Sequence, residues 1–477
     1  HAIPRRQRQM CIRDSNNVYF YIFGKILNFW LNYRKRERLN MITMIKEAIN
    51  VIKKNDRGGF TIPTNRLYPH QWNWDSGFTA LGISSLDKSR AWQELVMLIN
   101  AQWTNGMVPH IIFHENNPNY FPGPDQWQKN AESQTSCHSQ PPVLASVIWQ
   151  MVSRGTEYDK MKAGTLFNSI MAYHRWFFSA RDPDKEGCVS IIHPWESGRD
   201  NCPDWDIGLN NIKIPKNLEQ YFRKDTSYVD KLERPTDDHY DRFMTILKYG
   251  RDCNWDNVKM HNEGPFLAID PGVNFILLRA NKDLYKLANY LGYTESINEI
   301  RNWIKILEQG CQKMWNKDIN AFTSFDKRTN TYCDAITNAS FLCFYAGVGS
   351  NQQKSYMIDH CNRILNECNY GMPSLDPMHK CFESKRYWRG PIWSIMNYMI
   401  AVGLEDINEL KLANKIKNDT IQLVKKNGMA EYFDPISGIG LGGRDFSWTA
   451  AIHLELLKDE IDINSKHNFL NNKNVIN

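Results

Sequence analysis

The stretch KSRAWQELVMLINAQW, Lys88–Trp103, decides the fold class. Ala91, Leu95, Leu98 and Ile99 fall on one stripe at the 3.6-residue period, the pattern of a helix that buries one side. The same periodicity predicts helices over Ile42–Lys53, Pro142–Val152, Tyr158–Ala180, Gly272–Leu291, Glu295–Trp315, Asn351–Glu367, Pro391–Val402, Ile407–Lys426 and Ser447–Leu457. Alternating strand patterns joined by two-residue turns are scarce, and neither a βαβ rhythm nor a Gly-rich phosphate loop occurs. Between the helices lie stretches dense in Trp, Gly, Pro, Asp and His: Leu67–Phe78, Asn105–Trp127, His193–Asp206, Arg234–Tyr240, Lys385–Trp393 and Glu431–Trp448. Loops this long inside a compact domain usually carry function. The expectation is an all-α helical toroid with its loops gathered at one mouth, formed as one domain over residues 41–460.

The chain has 477 residues and a net charge of +6. Residues 1–40 hold nine Lys or Arg against two acids, which leaves residues 41–477 at −1. A near-neutral body argues against a nucleic-acid binder working through a broad basic face. The eleven cysteines are scattered, odd in number and without a CxxC pair, as expected of free thiols in a reducing, cytoplasmic setting. Val18–Leu31 is apolar but broken by Lys25, and its 14 residues fall short of the ~20 of a membrane span. The native chain is expected to start near Met41 or Met44, with 1–40 a non-native or disordered extension and 461–477 a disordered tail. A basic membrane-proximal anchor is the weaker reading of the extension. No membrane or nucleic-acid partner, cofactor or metal is expected, and a homo-oligomer is compatible with the sequence.

Sixteen Trp, 21 Tyr and 22 Phe suit a large core, but they equally suit sugar rings, whose apolar C–H faces stack on aromatics. Hydrolysis of a glycosidic bond requires two carboxyl groups, so loops that join an acid to Trp are candidates. In LYPHQWNWDSGF (Leu67–Phe78), Trp72, Trp74 and Asp75 lie near Tyr68. Alone, this loop reads better as a buried aromatic cluster with Asp75 capping the following helix. HPWESGRDNCPDWD (His193–Asp206) is more telling: Glu196, Asp200, Asp204 and Asp206 alternate with Trp195, Trp205 and Gly198, and the spacing fits no EF-hand. A solvated loop does not normally keep two Trp, so a catalytic reading outweighs the bland one. Cys202 reads as a small packing residue. KRYWRGPIW (Lys385–Trp393) offers stacking faces in Tyr387, Trp388 and Trp393, although Pro391 also suits a helix first turn. In EYFDPISGIGLGGRDFSW, Glu431 follows a helix stop at Asn427–Gly428. Which of the four acids in His193–Asp206 gives up a proton stays open on these grounds.

From Gly58 to Ala451 the chain resembles glycoside hydrolase family 63, in particular its mannosylglycerate/glucosylglycerate hydrolase branch. The shared motifs, in order, are RLYPHQWNWDSGF, NGMVPHIIF, FPGPDQW, SQPPV, HPWESGRDNCPDWD, RPTDDHYDR, YWRGPIW and EYFDP…GLGGRDFSWTA. The resemblance implies an (α/α)6 barrel and a metal-free, inverting α-glycoside hydrolase acting on a small glycoside. It puts the general acid on Asp200 and the general base on Glu431, carboxyl groups that inversion separates by ~6.5–9.5 Å. Sugar contacts map to Trp72, Trp74, Asp75, Gln140, Trp195, Gly198, Tyr387, Trp388 and Trp393. Tyr68, Tyr120, Arg234 and Tyr240 match positions that close over the substrate or hold its acidic aglycone. Arg444–Asp445 stand before Phe446 where glycerate-binding members are expected to carry an amide, Cys202 replaces a usual Ser, and His138–Ser139 form an unusual lead-in to Gln140. Two enzyme alternatives share the fold, a trehalase or an oligosaccharide α-glucosidase. A phosphorylase would need a phosphate pocket in place of the base. A non-catalytic carbohydrate-binding protein would have lost a carboxylate, and both are present.

Overall fold

The computed structural model describes residues 40–127 and 134–461, with residues 36 and 469. Most of the basic extension 1–40, including Val18–Leu31, and most of the tail after 461 lie outside the described residues.

The helices in order are α1 (40–55), α2 (Asn73–Ile83), α3 (Lys88–Ile99), α4 (Leu144–Ser153), α5 (Glu157–Ala180), α6 (Asp206–Asn210), α7 (Asp237–Asp252), α8 (Asn257–Glu263), α9 (Pro271–Leu291), α10 (Ile297–Gly310), α11 (Leu342–Ala346), α12 (Asn351–Glu367), α13 (Ser394–Asp406), α14 (Leu410–Asn427) and α15 (Ser447–Leu456). Among the described residues every strand is two residues long. Packing closes a ring: α2 on α4, α4 on α9, α9 on α11, α11 on α13, α13 on α15, and α15 back on α2. Around it, α3 lies on α2 and α5, α5 on α4 and α9, α10 on α9, and α14 on α13 and α15. α1 adds Ile45, Ala48, Ile49 and Ile52 to the same core, and α12 adds Met357, Cys361 and Ile364. Among the described residues, six inner and six outer helices make the (α/α)6 barrel that the resemblance implies.

The inner and outer rings differ in sequence for a physical reason. An outer helix meets water on one side and keeps a stripe, as α3 does with Ala91, Leu95, Leu98 and Ile99 buried. Some inner helices are enclosed on nearly all sides. Every residue of α2 is buried, as are all five of α11 and nine of ten in α15. Such a helix has no polar face and a weak periodic signal, so periodicity misses α2 and α11, although α15 falls within the expected Ser447–Leu457. Hence Asn73–Phe78, expected as loop, is the first half of α2, with Trp74 and Asp75 in its first turn. The expected loop Arg234–Tyr240 also turns helical at Asp237, where the Thr236 side chain accepts from the His239 N–H (3.2 Å) and caps α7. The helix expected over Glu295–Trp315 starts at Ile297 and gives way to a 3-10 turn at Cys311–Met314. Among the described residues no helix is long and apolar enough to cross a membrane.

Ring closure brings α2 against α15 with no room for a side chain at Gly82. A Cβ there would lie 2.4 Å from the Ala451 carbonyl oxygen, a backbone atom that cannot swing aside. Helix propensity alone favours Ala over Gly by about 1 kcal/mol. Gly82→Ala is nevertheless expected to destabilise the protein by about 1–3 kcal/mol, the cost of overpacking a dense core. A denaturant titration reads this as a lower midpoint; an unchanged or higher midpoint would show that the ring can spread.

Candidate active site

One cavity opens where the chain leads into the inner helices. It encloses about 800 Å³ of space not filled by atoms, part of it open to solvent. Tyr68, Trp72, Trp74, Asp75, Tyr120, Gln140, Trp195, Gly198, Asp200, Arg234, Tyr240, Tyr387 and Glu431 all line it. The segments before α2, α4, α13 and α15 and the long connection between α5 and α9 thus converge on one site, although they lie up to 363 positions apart in the Tyr68–Glu431 pair. Trp388 and Trp393 do not line the cavity. Both are fully buried and stack on each other at 3.7 Å and 1°, behind Tyr387, whose ring centroid is 5.2 Å from that of Trp393.

Pairing separates the four acids of His193–Asp206. Glu196 meets the buried Arg181 (2.7 Å) and accepts from the Ile192 (2.9 Å) and Ser139 (3.3 Å) N–H groups. Asp204 pairs with Arg199 (3.0 Å) and accepts from the Ser324 hydroxyl. Asp206 takes a two-pronged contact from Arg389 (2.9 and 2.5 Å). Asp200 alone of the four has no side-chain partner among the described residues and lines the cavity.

The chain on either side of Asp200 is held firmly. Arg199 is buried and reaches both Asp204 and Asp270 (2.6 Å), while Asp270 caps α9 through the Gly272 and Val273 N–H groups (2.9 and 3.1 Å). On the other side, the Asn201 side chain accepts from the Trp388 N–H (3.0 Å) and its carbonyl from Arg389 (3.1 Å). Gly198 has φ +68°, and a Cβ there would sit 2.5 Å from the Trp74 ring, so the turn requires glycine twice over. Cys202, expected merely to fill space, is buried and its thiol donates to Asp204 (2.8 Å).

Glu431 lies beyond α14, whose end at Asn427 is followed by Gly428 at φ +70°. Its carboxylate accepts from the Tyr68 hydroxyl (3.0 Å) and the Gly443 N–H (2.8 Å), and Arg234 Nη1 stands 3.8 Å away. Tyr387 lies 3.0 Å from Tyr68, oxygen to oxygen, and its ring lies 4.1 Å under the Arg234 guanidinium. Arg234 Nε donates to Asp225 (3.0 Å), and Nη1 is buried without a hydrogen-bond partner among the described residues. Burial pushes both Asp200 and Glu431 up to about 7. Arg234 opposes the shift at each; at Glu431 the Gly443 and Tyr68 donors oppose it as well. Asp75 is also pushed well above the carboxylate range by burial. Among the described residues no group of three His, Cys, Asp or Glu could hold a metal ion.

Sequence reading passed over His110, Lys224, Asp225 and Tyr228, which also line the cavity. His110 stood inside the quoted NGMVPHIIF and could have been singled out. Lys224–Tyr228 belong to an irregular stretch without Trp or periodicity, so no local signal marks them.

The domain model of mannosylglycerate hydrolase MGH1-like glycoside hydrolases matches residues 68–449. The chain is 41% identical over 413 residues to a mannosylglycerate hydrolase of Thermus thermophilus, spanning 86% of this chain and 99% of that protein. It is 29% identical to a glucosylglycerate hydrolase of Mycolicibacterium hassiacum, over 86% and 96% of the two chains. Its fold is similar to that of the crystal structure of a family 63 mannosylglycerate hydrolase from Thermus thermophilus in complex with Tris and D-glycerate, with a TM-score of 0.83, 40% identity and coverage of 86% of this chain and 99% of that one. With the barrel, the carboxyl-bearing cavity and these likenesses in place, the chain belongs to the MGH1-like branch of glycoside hydrolase family 63 and is a glycoside hydrolase.

Proposed function

We propose that this chain hydrolyses the α-glycosidic bond of mannosylglycerate or glucosylglycerate with inversion, using Asp200 as general acid and Glu431 as general base. The observation that carries the reading is the pairing pattern. Three acids of the loop are locked in ion pairs, while Asp200 faces a cavity that it shares with Glu431 and with an unspent donor of Arg234. The named relatives supply the substrate class. Glyceric acid carries a carboxylate, and a buried guanidinium with a free N–H is suited to bind one. Trp72, Trp74 and Trp195 offer stacking faces, and Asp75, Gln140, Tyr120 and Tyr240 offer hydrogen-bonding groups to sugar or aglycone. The domain is taken as 41–460, working in a reducing compartment.

Two carboxyl groups that share one cavity, each raised to about 7, do not both ionise readily. Glu431 has two hydrogen-bond donors and a nearby arginine; Asp200 has no side-chain donor. The charge therefore settles on Glu431 and the proton on Asp200. Asp200 passes its proton to the glycosidic oxygen as the bond to the anomeric carbon breaks. Glu431 takes a proton from the water that attacks that carbon from the opposite face, and the two carboxyl groups exchange protons with solvent before the next turnover.

Asp200→Asn and Glu431→Gln are each expected to lower kcat by at least about 10²–10⁴-fold while sugar binding persists, as followed by calorimetry. NMR of the first product released should show the β-anomer; an α-anomer would mean retention and sink the assignment. Activity requires Glu431 ionised and Asp200 protonated, so the rate falls below the pKa of the first and above that of the second. With both held near 7, the kcat/KM profile should be a narrow bell around pH 7. Tyr68→Phe removes a donor that stabilises ionised Glu431, so its pKa rises and the acidic limb moves to higher pH. An acidic limb that stays in place would show that Tyr68 does not support the base.

A further inference from the structure

Two residues of the cavity lining, Arg234 and Lys224, carry a permanent positive charge, and only the first is matched by carboxylates. Arg223 donates to both oxygens of Asp225 (2.7 and 3.1 Å), and Arg234 shares one of them (3.0 Å) while facing Glu431 at 3.8 Å. Arg223 also reaches Asp237 (3.0 Å), but on the exposed side. Burial favours the neutral form of Asp75, and Asp200 keeps its proton in the mechanism above. Lys224 lines the same cavity, and among the described residues its ammonium has neither an ion pair nor a hydrogen bond. The backbone there is fixed. Its two neighbours, Arg223 and Asp225, are bound to each other, and its carbonyl accepts from the Ser227 N–H (3.1 Å) in the 3-10 turn Asp225–Ser227. An anchored residue with an unspent charge at a ligand cavity is poised for an anion that the protein itself does not supply.

We propose that Lys224 is a specificity-determining residue that, together with Arg234, selects glycosides with an anionic aglycone. The inference rests on the substrate reading above and assigns its charge preference to a second cation. A point charge such as an ammonium attracts a carboxylate without fixing its plane, whereas the guanidinium orients it; the two tasks are complementary.

The test compares two substrates with one skeleton, the glycoside of glycerate and the uncharged glycoside of glycerol, on wild type, Lys224→Ala and Lys224→Arg. For the acidic substrate, Lys224→Ala should raise KM by about five- to tenfold with kcat nearly unchanged, as expected for loss of one partly screened ion pair. For the uncharged substrate the same change should cost less than about twofold, and Lys224→Arg should restore most of the discrimination. Added salt should weaken the acidic substrate's advantage in wild type more than in Lys224→Ala. Equal losses on both substrates, or no loss on the acidic one, would overturn the role of Lys224 and leave the substrate reading intact. A wild-type protein that hydrolyses neither glycoside would overturn the substrate reading itself.

Discussion

The buried guanidinium of Arg199 is the constraint on which the site depends. It joins Asp204, within its own loop, to Asp270, which caps the inner helix α9. Taking one cation and two carboxylates out of water costs several kcal/mol per ion, offset here by two ion pairs and the cap hydrogen bonds of Asp270, although Arg199 Nε has no partner among the described residues. Burial pushes Asp270 up, while Arg199 and the N–H groups of Gly272 and Val273 pull it back toward the charged form. The return on this cost is geometric. The loop cannot shift along the barrel without breaking a buried ion pair, so Asp200, the very next residue, holds its place at the cavity wall.

The same loop shows how one run of similar acids is given different work. Glu196, Asp204 and Asp206 are each matched by an arginine: Arg181 at the end of α5, Arg199 within the loop, and Arg389 ahead of α13. The first and third pairs tie the loop to the rest of the barrel, and the second braces it internally. Asp200 is left unmatched and desolvated, the condition that keeps a carboxylic acid protonated near neutral pH. At the same cavity, Tyr68 and Gly443 supply Glu431 with hydrogen-bond donors that Asp200 lacks, while Arg234 opposes the burial shift at both. The two carboxyl groups differ by their donors.

The aromatic residues divide in a comparable way. Tyr68, Trp72, Trp74, Trp195 and Tyr387 reach the cavity. Trp388 and Trp393 form a stacked pair behind them, and Trp74 lies 6.2 Å from Trp388, so the second layer backs the first. Stacking a sugar face requires a ring that does not turn, and a ring packed on another ring has little freedom to do so.

Much of this protein was determined by its sequence alone. The outer helices were legible because water on one side imposes a polar face, and the acid-and-Trp loops were legible because solvated loops rarely keep such residues. The family could be recognised because its motifs occur in order. What only the tertiary structure decided follows from burial and from distance along the chain. The inner helices α2 and α11 carry no stripe, since all their sides are enclosed. The pairing of Glu196, Asp204 and Asp206 depends on which arginine folds back to each, and Arg389 lies 183 positions from Asp206. Lys224 and Asp225 join the site from a stretch with no local pattern, because a cavity wall is defined by what surrounds it in space and not by its neighbours in sequence.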